Sequence, residues 1–351
     1  MVRLRLPGGR VDAATVRTIS SLAVRFGDPD ITLTSRGSLQ LRGLPDPLPR
    51  ELVTAIGDLG LVPSGEHDKA RNIVADPDES LDDLVEALDE ALLADPALAG
   101  LPGRFLLAVA RPGGPVLGEP WDIAVVDEGG SVRVLVGDHG VVVPRDGAAR
   151  TALDVARRFL AVRPDAKTWN VRDLPAAARG SLLPEGTPFV VEAEAPPLPG
   201  PDGDYLVALV PLGLLTPRMA AALTTLRGSS QGSSHLSERL VITPWRSIVV
   251  RGGADLADDL TEAGFATVPD SPWTVLTACA GAPACAQTTT STRDLALAAA
   301  PLVDPAGPPV HVIGCDRSCG HPARAHAISL NPSTAADVVA AQRSPITERS
   351  S

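Results

Sequence analysis

Apolar positions change period along this chain, and the changes mark its elements. Residues 2–6 alternate as a half-buried strand does, and Val16, Ile19, Leu22, Ala23 and Phe26 then share one face of a helix. Two short strands follow, 31–34 and 38–42, joined by Ser35, Arg36 and Gly37, before Leu52, Ile56 and Leu59 mark a second helix.

The same order of elements returns further on. Residues 7–11 align with 211–215 at an offset of 204, and 34–43 align without gaps on 243–252 at an offset of 209. Thr34/Thr243, Ser38/Ser247, Arg42/Arg251 and Gly43/Gly252 are identical in the second block. The shift falls where the Gly- and Ser-rich stretch 227–235 supplies a loop insertion, and the offset is 204 again at Gly60/Gly264. So long a period fits a duplicated domain and not a solenoid. Between the copies lie a polar passage at 65–80, a helical face of Leu81, Leu84, Val85, Leu88 and Leu92, strands at 104–110, 122–126 and 132–136, and a helix at 152–162. The resulting division is 1–65, 66–195, a proline-rich linker at 196–202, 203–268 and 269–351, an α+β arrangement.

Composition narrows the classes of function. Among 351 residues 44% are hydrophobic, mean hydropathy is +0.12, and no apolar run reaches the ~18 residues a membrane span needs. Residues 1–7 lack the long apolar core of a signal peptide, so the expected location is the cytoplasm, with reduced thiols and no membrane partner. A net charge of -11 and a pI near 5.0 argue against a nucleic-acid partner. Of 31 basic residues only Lys69 and Lys167 are lysines. Guanidinium forks suit carboxylates, although a GC-rich coding bias explains the composition equally.

The chemistry concentrates near the end. All four cysteines fall between 279 and 319, as Cys279-x5-Cys285 and Cys315-x3-Cys319. Small residues crowd the first pair, leaving room for backbone amides near sulfur, and the second pair's i, i+4 spacing fits one helical turn. A cluster ligated by four cysteines, a structural zinc and unligated thiols compete here; the x5 loop counts against zinc, whose paired ligands usually have two to four residues between them.

These motifs together resemble the nitrite and sulfite reductase superfamily. Thr34, Arg36 and Gln40 match its T-x-R-x-x-x-Q strand pair, Arg71-Asn72 with Pro77 its R-N-x-x-x-x-P passage, and Leu101-Pro102-Gly103-Arg104-Phe105 its L-P-x-K/R-F strand, followed by the cysteine pattern. Within it the chain is most similar to the precorrin-3B synthase branch, especially at His321-Pro322 after the last cysteine. The resemblance implies two ferredoxin-like half-domains, each followed by an iron-sulfur/sirohaem-type α/β domain, the second one short. It also implies a [4Fe-4S] cluster on Cys279, Cys285, Cys315 and Cys319, with a mononuclear non-haem iron associated with the branch, and an oxygen-dependent hydroxylation and lactone formation on precorrin-3A in cobalamin biosynthesis.

A tetrapyrrole substrate and an electron donor are the implied partners. Arg36, Gln40, Arg42, Arg71 and Arg104 are the implied substrate-binding residues, each charged bond to a carboxylate contributing roughly 1.5 to 3 kcal/mol. Arg36, Arg71 and Arg104 should then converge on one cavity beside the cluster, with Leu106 as its apolar wall where sirohaem enzymes carry a second base. The alternatives are a sirohaem-dependent nitrite or sulfite reductase and a non-catalytic iron-sulfur or tetrapyrrole-binding protein. His321 reads first as a structural residue; capping the cluster turn, bonding a substrate carboxylate, or ligating a second iron with His326 or Asp316 are its other readings. His67, His139, His235 and His311 lack metal-ligand spacing, and Trp245 reads as core.

Overall fold

The computed structural model describes residues 1–226, 240–322 and 324–344; the insertion at 227–235, with His235, lies outside the described residues. Two segments repeat one order of elements. The first runs through the strand Val2–Leu4, a tight turn at Pro7–Gly9, the short strand Arg10–Val11, the helix Ala13–Phe26, the hairpin Ile31–Leu33 and Leu39–Leu41, and the helix Arg50–Asp58. The second runs through Tyr205–Leu209, Pro211–Gly213, Leu214–Leu215, Pro217–Leu223, Leu240–Ile242, Ser247–Arg251 and Ala257–Ala263. The helix Ala13–Phe26 starts where the Asp12 carboxylate accepts from the Thr15 amide at 2.7 Å, satisfying one of the free N–H groups of its first turn. Its apolar face is buried.

The two half-sheets exchange a strand. Leu214–Leu215 pairs with Ile31–Leu33, while Arg10–Val11 pairs with Leu240–Ile242, so each sheet is completed by the other segment. Their leucines, isoleucines and valines form one continuous core, from Leu4 to Ile56 and from Leu206 to Phe265. Neither half-sheet keeps an open edge at the exchange.

Residues 66–195 build a six-stranded sheet. Ile73–Ala75, Leu107–Ala110 and Ile123–Asp127 are parallel, and Val132–Val136, His139–Val143 and Thr187–Pro188 extend them antiparallel. Asp82–Leu93 and Ala148–Val162 bury their apolar faces on one side of it. The last region has a smaller parallel sheet of Leu276–Ala278, Val310–Ile313 and Ala327–Leu330, packed against Thr292–Ala299 and Ala335–Gln342.

Several sequence expectations change in detail. The strand expected over 104–110 begins at Leu107, because Pro102 to Phe105 close a turn. The expected linker ends inside a sheet, since Gly200–Asp202 pairs with Tyr205–Leu209. The Cys315-x3-Cys319 segment is a turn and not helical, with Ser318 at φ 47° and Gly320 at φ 75°.

One carboxylate ties three parts of the chain together. Asp82, at the start of its helix, accepts from Arg10 of the first segment at 2.7 Å and from Arg251 of the second at 2.8 Å. Burial pushes the Asp82 carboxyl up, but the bonds and charges of Arg251 and Arg10 outweigh it and hold it below the ordinary value of 3.8. This stabilisation is therefore complete above pH 3.8 and is lost as pH falls toward the depressed folded value. Asp82→Asn should lower stability by about 3 kcal/mol, the low end for a broken buried pair, because the Asp82 side chain is itself 42% exposed. Urea unfolding at neutral pH measures it; an unchanged midpoint would show that the three charges contribute nothing.

Candidate functional site

Both cysteine arms leave the C-terminal ends of adjacent parallel strands. Cys279 follows Leu276–Ala278 and donates its amide to Val312 O at 2.9 Å, and Cys315 follows Val310–Ile313 through Gly314. The glycines here are set by neighbouring threonines more than by room for amides. A Cβ on Gly281 would lie 2.3 Å from Thr292 Oγ1, and one on Gly314 would lie 2.5 Å from Thr288 Oγ1. Thr292 in turn donates to Cys279 O at 2.9 Å.

All four thiols are unpaired and line one cavity of about 450 Å³. Its floor is the open face of the first half-sheet, where strand register sets Arg3 opposite Gln40 and Gln40 opposite Thr32. Side chains on one strand share a face every second residue, so Arg42 joins Gln40 there. Arg246, Arg293 and Arg317 close the other sides, and no carboxylate of the described residues lines the space.

Three buried polar atoms among the described side chains have no hydrogen-bond partner: Thr32 Oγ1, Arg42 Nε and Arg246 Nη1. All three belong to residues of this cavity. Burial, then the charge of Arg293, lowers the Arg246 guanidinium to about 10. Arg293 is lowered by burial and by Arg42, against the opposing charges of Asp28 and Asp30, and Arg3 by burial, Arg5 and Arg42. Arg246 still carries its proton at neutral pH, and unpaired buried cations are costly. The space is built for negative charge.

Arg246 also holds a left-handed backbone, φ 63°, at the position that matches Gly37, φ 59°, in the repeat. Such a conformation costs a non-glycine residue roughly 1 to 3 kcal/mol. Its Nη2 donates to Gly320 O, joining the second half-sheet's hairpin to the cysteine turn.

The expected arginine triad does not converge on this cavity. Arg71 is spent on Asp89, at 2.7 and 2.8 Å, and on Leu61 O, and is 6% exposed. Arg36 donates to the carbonyls of Gly103 and Arg104, and Arg104 stacks over Trp169 at 4.3 Å. Leu106 is buried in the core with Val74 and Ala108 and is no cavity wall. Of the residues expected to bind substrate, Gln40 and Arg42 line the cavity.

Arg3, Arg246, Arg293 and Arg317 were missed. Pairing Arg3 with Gln40 was one available signal, and an arginine aligned on a glycine of the other copy was another. Trp245 packs partly buried and donates to Glu119 at 2.9 Å, whose carboxyl burial raises to about 7.

The histidines do not form the expected second iron site. His321 and His326 stack at 5.7 Å, and their Nδ1 atoms face the carbonyls of Pro322 and Arg324 at 3.0 and 2.8 Å. Among the described residues no three His, Cys, Asp or Glu side chains are grouped closely enough for a single metal ion. His311, fully buried, lies 2.9 Å from Thr277 Oγ1 and 3.1 Å from Cys319 O. Burial, then Arg246, pushes its imidazole down to about 3, so it is neutral.

Residues 1–48 match the nitrite/sulfite reductase ferredoxin-like half domain. A ferredoxin–nitrite reductase of Synechococcus elongatus is 32% identical over 124 residues, 31% of this chain and 24% of the relative; the match thus spans about a quarter of that enzyme. The structure of the Mycobacterium tuberculosis NirA protein shares the fold at 20% identity with a TM-score of 0.64, over 91% of this chain and 68% of that one. Among the described residues no helix is long and apolar enough to cross a membrane.

Replacing Arg246 by glycine, the residue of the matching turn, should leave the melting temperature of the ligand-free protein unchanged or higher. Backbone strain and charge repulsion are relieved together. The same change should weaken binding of a polycarboxylated porphyrin about tenfold or more, the worth of one charge-assisted bond. Fluorescence quenching reads the affinity; equal binding by both proteins would remove Arg246 from the site.

Proposed function

We propose that the chain is an oxidoreductase of the nitrite/sulfite reductase type, with a [4Fe-4S] cluster on Cys279, Cys285, Cys315 and Cys319 and a carboxylated tetrapyrrole seated beside it. The observation that carries this reading is the shared cavity: four free thiols and five arginines line one space, and the three unpartnered polar atoms belong to residues that line it. Four cysteine thiols lining one space are the donor set that a four-cysteine cluster takes.

The name of the curated relative, a ferredoxin–nitrite reductase, favours nitrite as the substrate, and the family resemblance implies sirohaem as the tetrapyrrole. When bound, the two groups would supply electrons one at a time to a coordinated anion. This chain's own residues do the rest. Arg42, Arg246 and Arg293 offer guanidiniums to the macrocycle's carboxylates, Thr32 and Gln40 offer neutral polar groups, and Leu212 and Ala280 give apolar contact. An external electron donor completes the proposal.

A second reading keeps the site and makes the tetrapyrrole the substrate, as in precorrin-3B synthase. One feature favours it: position 106 is a buried leucine where a reductase would carry a base. Against it, Arg36 and Arg104, which that reading expected at the substrate, do not line the cavity.

Anaerobic purification with iron, sulfide and pigment analysis tests the proposal. A brown protein with a chlorin band in the red that reduces nitrite or sulfite is the expected result. A cluster without chlorin that converts precorrin-3A under air and a reductant would establish the second reading, and a protein free of iron would overturn both. Cys285→Ser should lose most of its iron and sulfide and its activity with them.

A further inference from the structure

Four ligands on two arms serve a cluster only if the arms keep their spacing. The first arm is fixed close to its strand by the Cys279 amide on Val312 O. The second must turn back through Ser318 and Gly320, both at positive φ, and Cys319 at its far end is exposed. What holds that far end is specific. Strand register sets His311 directly opposite Thr277, so ring and hydroxyl stand side by side on one face of the parallel sheet. From there the ring reaches Cys319 O at 3.1 Å with Nε2 and Thr277 Oγ1 at 2.9 Å with Nδ1.

The role of Nε2 follows from its partner. A carbonyl oxygen only accepts, so Nε2 carries a hydrogen, while the threonine hydroxyl, able to donate or to accept, meets Nδ1. One imidazole thus bridges the residue two places before Cys279 and the backbone of Cys319. We infer that His311 is a positioning residue that fastens the Cys319 end of one ligand arm to the strand carrying the other. A phenylalanine is a somewhat larger ring of similar shape and makes neither bond. A glutamine amide keeps a donor for Cys319 O.

The inference rests on the cysteines being cluster ligands, and the experiment keeps the two apart. Wild type, His311→Phe and His311→Gln are purified without oxygen and assayed for iron and sulfide per chain, for the half-time of iron loss to bipyridyl, and for the electron paramagnetic resonance of the reduced cluster. The Phe variant should lose iron about tenfold faster, the effect of one hydrogen bond near the upper end of its usual worth, with an altered resonance. The Gln variant should return to within about threefold of wild type.

If His311→Phe does not fold, Thr277→Val, which removes the hydroxyl end of the bridge together with that hydroxyl's contact to Val310 O at 3.3 Å, and the Gln variant carry the comparison. Iron loss from Thr277→Val should then be faster than from wild type. Equal rates for wild type and Phe, or for wild type and Thr277→Val, would overturn the inference, as would Gln no better than Phe. A wild type that contains no iron would overturn the cluster reading itself.

Discussion

The exchange of short strands between the two half-sheets is the constraint on which the site depends. At the crossing the backbone of Gly9, at φ 74°, lies so close to the other segment that a Cβ there would sit 2.0 Å from Ile242 O. Gly37 meets the same carbonyl, with a Cβ position at 2.8 Å. No side chain fits between, so the hairpin that carries Arg246 is held against the sheet that carries Arg3, Gln40 and Arg42. The cysteine region then packs over both, with Leu212 of the second segment in its core. Cavity walls drawn from three parts of the chain can be rigid only because this contact fixes the first two.

The repeat shows how one scaffold yields a site on one side and packing on the other. Arg3, Thr32 and Gln40 line up across the first half-sheet, and their counterparts at offsets 204 and 209 are Val207, Val241 and Val249, likewise paired across the second. Those valines form a small buried cluster. Arg42 and Arg251 match as well, yet Arg251 is neutralised by Asp82 while Arg42 keeps a buried nitrogen without a partner. In the second copy a protein carboxylate supplies the negative charge. In the first, no carboxylate of the described residues lines the cavity beside Arg42.

The hydrophobic periods were enough to locate the hairpins, several helix faces and three strands of the middle sheet, but not Ile73–Ala75 or any strand of the cysteine region. The cysteine pairs were legible for a different reason, since four thiols in 41 residues have few other uses. The arginines were not. A sequence displays that Arg71 is a guanidinium but not that Asp89, one helix away, will consume it, nor that Arg36 will turn to the carbonyls of Gly103 and Arg104. Arginine is informative only when its partner is known. The cationic residues that do line the cavity belong to five separate stretches, and Arg246 stood out only as an arginine in a glycine's place.

Charge segregation completes the picture. The chain carries 42 acidic and 31 basic residues, so at long range it repels a polyanion, but ions screen that repulsion beyond about 8 to 10 Å in ordinary salt. Inside the cavity the balance reverses, since five arginines face it and the acids nearest Arg293, Asp28 and Asp30, are not among its lining. A concave wall of low dielectric focuses such a field toward whatever enters. Overall acidity and a strongly anion-seeking interior are thus compatible, because the first acts through screened solvent and the second where water is scarce. The strained backbone of Arg246 lies on the side of the second effect, holding a guanidinium at the cysteine turn where a glycine would fold more easily.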